Sequence, residues 1–112
     1  QALVLFEQGQ NSEAIELWRQ VIKIRANAAE PTLALAAGLF ISGGQARREA
    51  LELAGQALAN DPNYVLASFQ KEQLWGTKLR AATQLLLAQP DLKTAVERAM
   101  ANANPEGSPD DE

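Results

Sequence analysis

Two pairs of carboxylates, Glu13 with Glu16 and Glu49 with Glu52, are the first residues in this chain that could do chemistry. Side chains three apart share one helix face, so each pair could act in acid–base catalysis or supply half of a di-metal site. A di-metal carboxylate bundle also needs Glu-x-x-His pairs, and the 112 residues include no histidine and no cysteine. That composition lacks the usual proton shuttle, the commonest metal ligand and any thiolate. Both pairs fall near the start of an expected helix, where negative charge meets the positive end of the helix dipole. They are therefore expected to be structural, with no metal and no cofactor. Arg47-Arg48 and the Lys78/Arg80 pair could bind phosphate, but a nucleic-acid footprint needs a concentrated basic face. The net charge is −4, and Glu106, Asp110, Asp111 and Glu112 place four negatives in the last seven residues. Taking those four from fourteen acids leaves ten against ten bases, a neutral body. Nucleic acid and small-molecule substrate are excluded as expectations, and with no nucleophile elbow nothing supports a hydrolytic triad.

The elements that must carry these residues are helical. Ala, Leu, Gln and Glu dominate, and β-branched or aromatic runs are absent. A first helix ends near residue 8 and stops at Gly9. Asn11 or Ser12 is placed to cap a second, which runs to about Asn27 with Ala14, Leu17, Trp18, Val21, Ile22 and Arg25 along one stripe. Pro31 suits the first turn of a third helix that lasts to Ser42. Gly43-Gly44 ends it, a fourth covers about Ala46 to Asn60, and Asp61-Pro62 punctuates. Gly76-Thr77 could break the segment after Pro62, but one long bent helix to about Ala88 is expected, then a last helix from Pro90 to about Ala101. Residues 102–112 hold prolines, a glycine and acids with little to bury, which predicts a disordered acidic tail.

A five-residue phrase organises the first half. Glu13-Ala14-Ile15-Glu16-Leu17 recurs thirty-six residues later as Glu49-Ala50-Leu51-Glu52-Leu53. A period of that size marks stacked helix pairs. Over about residues 3–64 the pattern resembles the tetratricopeptide repeat family. In the better copy Ala34, Ala37-Gly38 and Ile41 fall where that family places its first-helix aromatic, its Leu-Gly pair and its tyrosine. Ala50, Ala54 and Pro62 take its alanine, its second-helix aromatic and its closing proline. In an earlier partial copy, Gly9, Ala14, Trp18 and Val21 match the turn glycine, alanine, aromatic and second alanine. The period of 36 rather than 34, Ala54 in place of an aromatic and Phe40 at a small-residue site all depart from the family pattern.

The resemblance implies an all-α fold: an antiparallel helix-hairpin array, an α-solenoid fragment, with C-terminal capping helices. A helical domain would cover residues 1–101, as a partial repeat (1–28), a second repeat (29–64) and a C-terminal extension (65–101). By register, Thr32, Leu35, Leu39, Ser42, Leu66, Phe69 and Gln73 would line a concave groove that takes a partner helix or peptide. The alternative is that residues from Leu79 to Leu92 fold back and fill it. The expected function is non-catalytic protein–protein interaction as a scaffold or adaptor. A homo-oligomerisation module and a helical accessory domain of a larger enzyme or membrane-anchored protein are the rivals. Ala2 to Phe6 would leave an apolar N-terminal helix exposed, and a homodimer is expected to cover it. The apolar runs are too short to span a bilayer. The opening on Gln1 is expected of a fragment, so membrane attachment would come only from an upstream anchor, and a cytoplasmic location is expected for this segment.

Overall fold

Seven α-helices joined by short turns make up residues 1–105, the part of the chain that this computed structural model describes. They are α1 (Ala2–Glu7), α2 (Asn11–Ile24), α3 (Ala29–Ser42), α4 (Arg47–Asn60), α5 (Ala67–Glu72), α6 (Thr77–Leu87) and α7 (Lys93–Asn102). The fold is all-α, as the composition implies. Asn102 closes α7, and from residue 106 onward the expected acidic tail lies outside the described residues.

Local chemistry explains most of the boundaries. Gly9, at φ +87°, ends α1 with the paired bonds of a Schellman motif. Its N–H donates to the Phe6 carbonyl (3.0 Å), and that of Gln10 donates to Leu5 (2.9 Å). Pro31 lies in the first turn of α3, where no backbone donor is lost. After α4 the Asp61 carboxylate accepts the Asn63 N–H (3.1 Å) and starts a 3₁₀ turn, Pro62–Val65. Two expectations about α2 are corrected. It starts at Asn11, so Gln10 holds the cap position and neither Asn11 nor Ser12 caps it. It also ends at Ile24, short of Asn27, because the chain turns there with Ala28 N–H on the Arg25 carbonyl (3.1 Å).

The single long helix expected after Pro62 does not form. A second Schellman motif ends α5, with Leu74 N–H on the Lys71 carbonyl (3.0 Å) and Trp75 N–H on Gln70 (3.1 Å). The left-handed position belongs here to Leu74, at φ +72° and 82% exposed. A leucine pays about 1–2 kcal/mol for that conformation, which glycine avoids.

The packing centres on α3. Residues Thr32 to Leu39 are buried without interruption, because α4, α2 and α6 all pack on this one helix. Gly38 brings α2 and α3 close together: a Cβ there would lie 3.1 Å from Ile15 Cγ1 and 3.5 Å from the Trp18 ring. Larger side chains at such a site overpack, at about 1–3 kcal/mol. The two copies of the repeated phrase agree in burial at three of their positions. Ala14 and Ala50 are fully buried, Leu17 and Leu53 half-buried, and Glu16 and Glu52 exposed. Between those copies Arg19 grips Glu49 through two bonds, of 2.8 and 3.1 Å, tying α2 to α4.

The remaining helices close over this frame. Helix α6 packs on both α3 and α1 and buries Leu79, Ala82 and Leu86. Two fully buried leucines contribute about 3–6 kcal/mol. The Glu7 carboxylate fixes where α6 begins, accepting the N–H groups of Lys78 (3.1 Å) and Leu79 (2.9 Å). Gly76 makes room for it, since a Cβ at that position would overlap the carboxylate. This closure also corrects the expected N-terminal patch. Ala2 and Phe6 are buried, with α2 and α6 packed on α1, and Val4 is the large apolar residue of that helix left exposed.

Two outcomes follow for stability. Leu74→Gly relieves the left-handed leucine and, after the added freedom of the unfolded chain is subtracted, should raise stability by about 0.5–1 kcal/mol in urea denaturation. Gly76→Ala displaces the Glu7 carboxylate and should cost about 1 kcal/mol, typical of a lost helix cap. Adding Glu7→Ala to that variant should then cost almost nothing more. Full additivity in this double-mutant cycle would show that the two residues act separately.

Candidate functional site

Three of the residues assigned to the concave groove lie inside the core. Thr32, Leu35 and Leu39 are buried in α3, and Thr32 donates its hydroxyl to the Ala28 carbonyl (2.7 Å). Ser42 is exposed, but its hydroxyl turns back on the Gly38 carbonyl (2.9 Å). Leu66, Phe69 and Gln73 are half-buried around α5, with Phe69 edge-on to Tyr64 at 4.9 Å between ring centroids. With three of the seven buried, these residues do not together line one open groove. The alternative in which the C-terminal extension covers α3 is the arrangement found, with α6 as the covering element.

An open concavity lies elsewhere, at the end of the helix bundle. A cleft of about 670 Å³ lies between the start of α1, the second half of α2, the start of α3 and the turn after α4. Ala2, Leu3, Leu17, Trp18 and Val21 form its apolar wall. Leu17, Val21 and Ile24 recur at spacings of four and three, so they share one face of α2. Val21 is 39% exposed and Ile24, one turn beyond the cleft, 84%. The apolar stripe expected on α2 is thus split. Ala14 faces the core and Trp18 is buried at the back of the cleft, whereas Val21 and Arg25 face it from the more exposed end of the stripe.

Its opposite side is polar. Tyr64 lines the cleft between Glu30, in the first turn of α3, and Asp61, at the end of α4. Tyr64 is only 6% exposed, and its ring stands 5.7 Å from that of Trp75. The Trp75 indole N–H donates to Glu30 (3.1 Å), so this carboxylate is held from behind. Burial, followed by the charges of Glu30 and Asp61, pushes the Tyr64 phenol up to about 12. No hydrogen bond joins that hydroxyl to another described residue. Gln70 supports the same corner by donating to the Tyr64 carbonyl (2.7 Å), although its own carbonyl oxygen is buried without a partner.

The acids considered first for chemistry do not converge. Glu49 is taken up by Arg19, whose guanidinium holds it below the usual carboxylate range. Glu16 and Glu52 are exposed on separate helices. Arg47 reaches Asp91 (3.6 Å) and Gln89 (3.0 Å). Among the described residues no group of three or more potential ligands is placed to hold a metal, and no helix is long and apolar enough to cross a membrane. The sequence reading did not pick out Tyr64, Glu30 or Asp61. The available signals were a lone tyrosine and an acid at each helix boundary beside it. Comparison with family models, with curated proteins and with solved structures yields no match to this chain.

Because Tyr64 is the chain's one tyrosine, its titration can be read directly. Tyrosinate absorbance should rise near pH 12 in the folded protein, against 10 for an unperturbed phenol. The neutral form is the one the fold favours, so its contribution to stability is complete below pH 10 and is lost as pH climbs toward 12. Asp61→Asn should move the midpoint downward. An unchanged midpoint would mean that this carboxylate does not act on the phenol.

Proposed function

We propose that this chain is a non-catalytic protein–protein interaction module that docks a partner segment in the cleft beside α2. The observation that carries it is an apolar wall left open to solvent beside a deep aromatic floor. Leu17 and Val21 stand in the cleft, Ile24 extends the same face, and the buried Trp18 backs them. Covering such a surface gains about 25 cal/mol per Å² of apolar area removed from water. A helix or extended peptide with apolar residues at regular spacing is the kind of partner such a wall can seat. Helices α1 to α4 supply most of a preformed site, and a preformed site keeps the entropic cost of binding low.

The groove over α3 has no part in this reading. Opening it would require lifting α6, and the loss of Leu79 and Leu86 burial alone, about 3–6 kcal/mol, is a large part of a small domain's total stability of about 5–15 kcal/mol.

Selection of a displayed peptide library against the domain tests the proposal. Recovered peptides should carry spaced apolar residues, and Val21→Asp should weaken them at least tenfold with helicity unchanged. Leu85→Asp, at an exposed leucine of α6 outside the cleft, should leave their affinity intact. Binders indifferent to Val21→Asp would exclude the cleft. Self-association that Val21→Asp abolishes in sedimentation equilibrium would make a second copy the occupant.

A further inference from the structure

Resting on that reading of the cleft, we infer that the docked segment is a partner's α-helix, seated in line with α1 and antiparallel to α2, with small side chains turned toward Trp18 and Val21. The two helix pairs of the first half differ in one respect that points to it. Helices α2 and α4 are each 14 residues long, and both their starts (Asn11, Arg47) and their ends (Ile24, Asn60) lie 36 positions apart. The helices that precede them do not match. Helix α1 has 6 residues and α3 has 14, a difference of eight. Their ends, Glu7 and Ser42, lie 35 positions apart, so the shortfall is at the start of α1.

The cleft occupies the place of those eight residues. In the second pair α3 and α4 form an antiparallel hairpin, with the start of α3 beside the end of α4. There Ala57 and Leu58 are 0% and 2% exposed. Their counterparts in the first pair are Val21, 39% exposed, and Ile22, half-buried. Helix α1 does cover the middle of α2, where the Phe6 ring stands 5.7 Å from that of Trp18. Past its first residues the same interface runs on as open cleft, from Gln1, Ala2 and Leu3 to Arg25, Asn27 and Ala28. Eight helical residues rise about 12 Å, or two turns, and that is the length of helix the seat calls for.

Two features of the wall favour this occupant. An extended segment laid on Leu17, Trp18 and Val21 would face apolar side chains with unpaired backbone N–H and C=O groups, whereas a helix satisfies its own. The wall is also bulkier than its counterpart, because Trp18 and Val21 stand where the second pair has Ala54 and Ala57. A helix approaching α2 as α3 approaches α4 must therefore be slimmer on that side. Alanine, glycine or serine fits there, and larger side chains overpack.

A short peptide tests this on the whole chain. The probe is acetylated and amidated, about three turns long, with alanines along one helix face, leucines beside them and glutamine and lysine elsewhere. The Trp18 indole signal in proton–nitrogen correlation spectra reports occupancy. The probe should bind at least tenfold tighter than a version with a central proline or one with leucine in place of the alanines. A paramagnetic tag at its C-terminal end should broaden the amide signals of Ala2 and Leu3, and a tag at its N-terminal end those of Arg25 and Asn27. Joining a copy of residues 29–36 ahead of Gln1, which keeps the 36-residue register, should raise the urea midpoint and abolish binding of the probe. No binding of the probe, equal binding of either control, the reverse tag pattern or undiminished binding by the extended chain would overturn the helix assignment. The apolar docking reading would then still stand on library peptides that Val21→Asp weakens. Absence of such peptides as well would remove both.

Discussion

Helix α3 has no face that can be left in water, and the rest of the molecule is arranged by that constraint. From Thr32 to Leu39 its side chains are apolar or small, with one hydroxyl that is satisfied within the helix. A helix that is apolar all round has to be enclosed. Helices α2 and α4 flank it, and α6 closes what they leave open. Gly38 and the fully buried Ala14 and Ala50 allow the close approach that makes the enclosure dense.

Closing the last side takes a piece of chain far along the sequence, and it is held in place by two kinds of force. Burial of Leu79 and Leu86 supplies most of the free energy, whereas the Glu7 cap contributes about 1 kcal/mol. The smaller term carries the geometry, because a carboxylate bonded to two successive N–H groups permits one starting point for α6. The Trp75–Glu30 bond works in the same way, anchoring the turn before α6 to the start of α3. That turn includes a strained leucine, so local preference gives way here to long-range contact.

Enclosing α3 leaves another surface uncovered. The second half of α2 runs past the neighbours that bury its first half, so Val21 and Ile24 emerge from a stripe that begins in the core. Two helix ends and a 3₁₀ turn then bring Glu30, Asp61 and Tyr64 to the opposite side. None of these residues is unusual by type; the site is made by the point at which packing stops.

The helical class, the halt at Gly9, the break at Asp61-Pro62 and the like burial of Ala14 and Ala50 were all legible in the residues. Each depends on interactions within a few positions of the chain or on a simple period. The absence of charge from Pro31 to Ile41 is also consistent with the enclosure of Thr32 to Leu39, a stronger signal than the register that placed a groove there. Beyond the reach of local pattern lay the break at Leu74, the seat of α6 and the identity of the open face. All three turn on pairs such as Glu7 with Leu79 or Glu30 with Trp75, separated by 72 and 45 positions. No helical period links partners so distant, and which side of an apolar stripe meets water depends on where those distant segments come to rest.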